Sequence, residues 1–344
     1  MSAAERSKST REEFPAGQEL LTIRDLRVTY GHSHRNSFTA VEGVSLSVAA
    51  GETVGLVGES GSGKTTIGAA ALGLAPASAG QIAFEGRDIT RANAAERRRL
   101  SKDLQVIFQD PYNSLNPSRT IGQTLVEPLQ VHQRLSRQEA ADAVAAMLER
   151  VGLPRAAADK YPSQFSGGQR QRVAVARALM VTPKIVICDE AVSALDLSVQ
   201  AQVLNLLLGL QHDLGVGYLF ISHDLGVVRH MCTRIVVLYR GRVMETGAAE
   251  TIYRQPGHPY TQTLLAASPI PDPDAQALNR EKVKAAQPAI PDAPATGCRF
   301  AARCPLATEI CLREDPALRP GPTGSMVACH HADLAAAPAT LSHS

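Results

Sequence analysis

Nine residues, GESGSGKTT from Gly58 to Thr66, carry glycine at 58, 61 and 63, followed by Lys64 and Thr65. That spacing suits a loop curled around phosphate. Glycine lets successive backbone N–H groups turn inward, and a helix behind the loop adds its positive end. Lys64 brings a mobile charge for the β- and γ-phosphates, and Thr65 brings a hydroxyl for Mg²⁺. Ser60, Gly61 and Thr66 complete the candidate contacts to nucleotide. Two further acids, Asp189 and Glu190, end the apolar run IVICDE. Asp189 is placed to hold Mg²⁺, and Glu190 to take a proton from water attacking the γ-phosphate. A third segment, FSGGQRQRVAVARALM from Phe165, starts a helix that Ser166 can cap, with Gly167 and Gly168 exposing backbone N–H groups. Each feature alone is ordinary structure: a glycine turn, a strand end, a capped helix. Two phosphate-binding surfaces in one chain imply either two phosphate clusters or two subunits that share one nucleotide.

The elements around these residues read as an α/β protein. Strand-like LLTIRDLRVTY and VEGVSLSV come first, and from Glu52 apolar strands alternate with helical patterns, the signature of parallel strands joined by crossover helices. The phosphate loop follows ETVGLV and opens the helical TTIGAAALGL, and IVICDE reads as a strand buried in the sheet with its acids at the carboxyl end. Between about 111 and 165 the strands stop and RQEAADAVAAMLERVGL marks a helical insertion. RIVVLYRGRVMETG reads as a hairpin turning at Arg240–Gly241. Residues 1–19 read as a disordered tail, 20–267 as the nucleotide-binding domain, 268–295 as a proline-rich linker, 296–335 as a cysteine-rich domain, and 336–344 as a tail. With 344 residues, 44% of them hydrophobic, and a net charge of +2, the chain has neither the charge of a nucleic-acid binder nor a run able to span a bilayer. The polar amino terminus lacks a signal peptide's apolar core, which places the chain in the cytosol.

Taken together, the motifs resemble the ATP-binding subunit of an ABC transporter over about residues 20–260, and they fall in that family's order. The resemblance implies a P-loop NTPase fold: a RecA-like core with an antiparallel β subdomain and an α-helical insertion. Tyr30 matches the aromatic that stacks on adenine, Gly58–Thr66 the Walker A loop, and Asp189 and Glu190 Walker B. Gln109 matches the Q-loop glutamine that touches Mg²⁺ and the attacking water. Ser166, Gly167, Gly168 and Gln169 match the signature that closes on a partner's ATP, Asp196 in SALD matches the D-loop, and His223 in ISHD matches the switch histidine. ATP and Mg²⁺ are the implied cofactors. Phe165 stands where the family usually has leucine, and Ala191–Val192 where it has Pro-Thr.

A finer resemblance, carried by FQDPYNSLNPSRTIGQTLVEPL, SALDLSVQAQVLNLL and GHPYTQTLLAASP, is to the oligopeptide and dipeptide import ATPases. It implies a heterodimer with a sister ATPase, two transmembrane permeases and an extracytoplasmic solute-binding protein. The subunit would then work at the cytoplasmic face of the inner membrane as a peripheral protein. Importers of nickel, glutathione and other small solutes share this resemblance. An ATPase acting on nucleic acid is a separate alternative. It fits less well, because only about a hundred residues separate Lys64 from Ser166 and no heptads lie between them.

Four of the six cysteines, Cys298, Cys304, Cys311 and Cys329, close the chain with five, six and seventeen residues between them. In a cytosolic protein, lasting disulfides are disfavoured. Four thiolates suit either zinc or an iron–sulfur cluster. Zinc sites favour tight C-x₂₋₄-C pairs, absent here, and Cys304–Pro305 resembles the Cys-Pro of ferredoxins. The spacing, like the subfamily resemblance, favours a [4Fe–4S] cluster acting as a staple for a unit too small to hold a large core.

Overall fold

The computed structural model describes residues 17–31, 37–110, 114–267 and 296–336. The proline-rich linker at 268–295, the tails up to 16 and from 337, and the first residues of the helical insertion lie outside the described residues. Two sheets organise the rest. β1 (Glu19–Tyr30), β2 (Phe38–Ala49), β4 (Ala79–Phe84) and β5 (Arg87–Asp88) form an antiparallel sheet in the order β2-β1-β4-β5. The larger sheet runs β11-β12-β10-β9-β3-β8-β7-β6. Its strands are β3 (Thr53–Val57), β6 (Leu104–Ile107), β7 (Ile185–Asp189), β8 (Gly217–Ser222), β9 (Arg234–Tyr239), β10 (Arg242–Ala248), β11 (Arg319–Pro320) and β12 (Met326–Val327). Pairings from β6 through β7, β8 and β3 to β9 are all parallel, whereas β10, β12 and β11 add antiparallel strands at one edge.

The central strands are apolar at nearly every position because both faces of the sheet are covered. Residues alternate between two cores. Val186, Cys188, Tyr218, Phe220, Ile235 and Val237 belong to one, and Ile185, Ile187, Leu219, Ile221, Val236 and Leu238 to the other. Burial also pushes the Cys188 and Cys232 thiols well above the ordinary range, so both are inert core residues.

Helices α1 (Lys64–Leu72), α2 (Ala94–Leu100), α3 (Ile121–His132), α4 (Arg137–Arg150), α5 (Gly167–Leu179) and α6 (Leu197–Leu214) follow in chain order. Four of them start with reciprocal capping boxes: Asn93/Glu96, Thr120/Gln123, Ser136/Glu139 and Ser166/Gln169. Each box satisfies two orphaned N–H groups, which fixes where the helix begins. α3 and α4 make the helical insertion, with Leu125, Leu129, Val144 and Leu148 buried in the first core. α7 (Leu225–Met231), α8 (Ala249–Arg254) and α9 (Pro259–Ala267) complete the large unit.

From the sequence, residues 296–335 read as a unit of their own, but the structure joins them to the main fold. β12 pairs with β10 through Glu245↔Val327 and Thr246↔Met326. Cys298, Phe300, Ala301, Cys304 and Cys311 share the first core with the sheet. Buried Glu245 accepts hydrogen bonds from Gly257 N–H (2.8 Å), His258 N–H (3.0 Å) and the Ser325 hydroxyl (2.8 Å), tying β10, the loop before α9 and the extension together. Forty residues with little apolar area of their own gain stability by burying it against a larger core.

Candidate nucleotide site

Four adjacent parallel strands end at one place. The loop Gly58–Gly63 follows β3, Asp189 ends β7 with Glu190 next to it, His223 follows β8, and Gln109 lies two residues beyond β6. The carboxyl edge of a parallel sheet is where such folds bind ligands.

The loop is closed tightly. Gly58 has φ 153°, and a Cβ there would stand 2.1 Å from the Leu238 carbonyl oxygen of β9. Gly63, with φ 101°, leaves room for the Ala40 carbonyl. Lys64 is buried, and its ammonium donates to the carbonyls of Gly58 (2.7 Å) and Glu59 (2.9 Å). Burial holds its pKa below the ordinary lysine value, opposed by the charges of Glu190, Asp189 and Glu59. Those acids keep a cation available where phosphate would bind. Ser60, Gly61 and Thr65 are exposed, while Thr66, the third residue of α1, is half-buried.

Thr65 Oγ1 donates to Asp189 Oδ1 at 3.0 Å. Burial raises the Asp189 carboxyl, and the Thr65 bond works against that rise. A hydroxyl and a carboxylate oxygen side by side are donors that suit Mg²⁺. Gln109, which the sequence groups with them, donates its amide NH₂ to Glu190 Oε2 at 2.9 Å. His223 Nδ1 lies 3.3 Å from Glu190 Oε1. Glu190 is therefore held on both oxygens. Its backbone has φ 47°, a left-handed conformation uncommon for glutamate and a form of strain that clusters at functional positions. Ser193 secures that backbone by donating its hydroxyl to the Glu190 carbonyl at 2.9 Å.

The remaining predicted residues are placed differently. Tyr30 pairs with Phe38 across β1 and β2 and is 43% exposed, leaving its ring free for stacking. Ser166 and Gln169 are exposed and bond to each other, through Gln169 N–H to Ser166 Oγ (3.3 Å) and Ser166 N–H to Gln169 Oε1 (3.0 Å). Gly168 is buried instead of open: a Cβ there would meet Val199 Cγ1 at 2.3 Å, so this glycine also serves the packing of α5 on α6. Asp196 caps α6 by accepting from Val199 N–H (3.0 Å) and Ser198 Oγ (2.8 Å). Sequence reasoning did not single out Glu59, within the loop, or Tyr260 and Arg303, which brace it from outside. Glu59 occupies a variable position of the motif, and the other two lie more than 200 residues away.

The chain resembles known proteins over most of its length. The family model "ABC transporter" matches residues 41–193, and "Oligopeptide/dipeptide transporter, C-terminal region" matches 244–311. A putative peptide import ATP-binding protein of Brucella ovis is 46% identical over 310 residues, covering 90% of this chain and 97% of the relative. The chain belongs to the ABC transporter ATPases. The oligopeptide transport ATP-binding protein OppF of Escherichia coli is 45% identical over 308 residues, 87% of this chain and 92% of that one. Among solved structures, cbiO1 of Clostridium perfringens superposes on this ABC ATPase with a TM-score of 0.62 at 27% identity, covering 69% of this chain and 91% of that one. A dimeric ATP-binding cassette bound to ADP and Pi gives a TM-score of 0.61 at 27% identity, covering 67% and 99%. In the described residues no helix is long and apolar enough to cross a membrane.

Proposed function

We propose that this ABC ATPase hydrolyses ATP to drive import of di- and oligopeptides, with Glu190 as general base. The observation that carries the chemistry is the Gln109–Glu190–His223 triplet beside Lys64, Thr65 and Asp189. Held on both oxygens, the Glu190 carboxylate is oriented to accept a proton from water. Lys64 draws in the β- and γ-phosphates, and Gly58–Gly63 turn backbone N–H groups towards them. Thr65 and Asp189 would hold Mg²⁺, which neutralises phosphate charge when bound. Peptide as the solute rests on the names of the relatives and on the second family model.

Ser166 and Gln169 are exposed at the capped start of α5, which leaves them accessible to a nucleotide held by a partner. The partner in this reading is a sister ATPase. Two permeases and a solute-binding protein complete a complex at the inner membrane, with this subunit peripheral on the cytoplasmic face. Two results follow. The isolated chain is a weak ATPase, and the complex reconstituted in vesicles turns over faster when loaded solute-binding protein and peptide are added. Full, concentration-independent turnover by the lone chain would refute the shared site, and indifference to peptide would refute the solute class.

The four terminal cysteines are all buried and unbridged. Burial first, then neighbouring thiols, push Cys298 up to about 11 and Cys304 up to about 12. The thiols thus lie close enough to influence one another. Among the described residues, however, no group of three or more His, Cys, Asp or Glu side chains is placed to hold a metal ion. A single tetrahedral zinc would draw its sulfurs to within about 4 Å of one another. The preference for a [4Fe–4S] cluster over zinc rests on the long sequence intervals between the cysteines, five, six and seventeen residues, and on the subfamily resemblance. Anaerobically purified protein is then brown, absorbs at about 400 nm, and loses the colour in Cys304→Ser. Colourless protein carrying one equivalent of zinc would decide against the cluster.

A further inference from the structure

The cysteine-rich extension reaches the phosphate loop directly. Arg303, one residue before Cys304, donates from both terminal nitrogens to the two carboxylate oxygens of Glu59, each at 2.9 Å. The guanidinium also lies over the rings of Phe300 (5.6 Å) and Tyr239 (5.8 Å), so its position is set by an aromatic cluster shared between extension and sheet. Tyr260, packed against Phe300 in the same cluster, accepts a hydrogen bond at its hydroxyl from Glu59 N–H at 3.0 Å. Glu59 is thereby held at three points: its N–H by Tyr260, its carbonyl by Lys64, its carboxylate by Arg303. Lys64 must turn from that carbonyl to reach a phosphate. The other two holds do not depend on the nucleotide.

Charge points the same way. Glu59 and Arg303 line one cavity together with Ser60, Gly61 and Ser62 of the phosphate loop. Unpaired, this carboxylate would repel a triphosphate. Bidentate pairing with Arg303 cancels the charge at fixed geometry.

We propose that Arg303 is a positioning residue of the nucleotide site, holding Glu59 and the phosphate loop in place and cancelling a carboxylate beside the phosphate cradle. The extension is then part of the nucleotide site, and order around Cys304 contributes to ATP affinity. This rests on the reading of Gly58–Thr66 as that site. Both partners are partly exposed, about a third for Arg303 and two-fifths for Glu59, so the effect is moderate.

The test is equilibrium binding of Mg-ATP to the full-length chain, with steady-state kinetics of the assembled transporter. Arg303→Ala weakens ATP binding by about three- to fivefold and raises KM while kcat stays near wild type. Arg303→Lys retains part of the affinity, because the charge remains but the fork is lost. The deciding variant is Arg303→Ala combined with Glu59→Gln. It binds ATP more tightly than Arg303→Ala alone, since no bare carboxylate is left. Equal affinity of Arg303→Ala and wild type, or equal loss in the single and double variants, would overturn the proposal. Failure of the wild-type chain itself to bind ATP would remove the underlying site reading along with it, whereas Arg303 alone is refuted when wild type binds and its variants match it.

Discussion

Replacing Glu190 with glutamine lowers ATP turnover in the assembled transporter by about a hundredfold to ten-thousandfold while ATP still binds. Glutamine keeps the length and one acceptor oxygen for the Gln109 amide, while its NH₂ can donate to His223 Nδ1 in the other tautomer, so the local fold survives. What it loses is the ability to accept a proton from water. The phosphate cradle, Lys64, Thr65 and Asp189 are untouched, and affinity for ATP stays close to wild type. The variant therefore accumulates in the ATP-bound state. Single-turnover hydrolysis and ATP retention, measured on the same preparation, check both halves. Wild-type turnover in Glu190→Gln would transfer the role of base to another group.

Replacing Gly58 with alanine damages the site by a different route. The new methyl would stand 2.1 Å from the Leu238 carbonyl oxygen and 2.8 Å from Ser62 Oγ. The first neighbour is backbone of a central strand and cannot rotate away. Either β9 or the phosphate loop has to move. Overpacking of this kind costs about 1–3 kcal/mol of stability. The loop is the more easily displaced of the two, and a shift of about 1 Å in a reacting geometry costs about a hundredfold in rate. A lowered melting temperature together with an ATPase rate down by that order is the expected pair of results. A variant that melts and turns over like wild type would mean that the loop has slack which this packing does not reveal.

Much of the candidate site is legible in the sequence. Gly58–Thr66 announces itself because phosphate binding needs glycine where backbone must curl and lysine where charge must reach, and those demands fall on neighbours in the chain. IVICDE is legible for a related reason: a strand buried on both faces must be apolar throughout, so the acids that end it stand out. Ser166 as a helix cap and the hairpin turning at Arg240–Gly241 follow from equally local rules, and the structure has both. Gly168 was only half legible. Its place in SGGQ suggested an open anion site, but its contact with Val199 comes from packing between α5 and α6, which local sequence does not encode.

What the chain determined by itself is the set of chemical parts and their order, because backbone conformation, capping and burial pattern act over a few residues. The tertiary structure decided which parts meet. Strand order β6-β7-β8-β3 brings Gln109, Glu190, His223 and Lys64 to one edge, though these residues are spread over 160 positions of sequence. It also decided that the cysteine-rich extension is no free appendage. Val327 pairs with Glu245, Phe300 enters an aromatic cluster with Tyr239 and Tyr260, and Arg303 reaches Glu59 from 244 residues away. Such contacts form because a short segment with little core of its own gains most by burying its apolar side chains on a larger one. The charge pairs then settle wherever that burial leaves them.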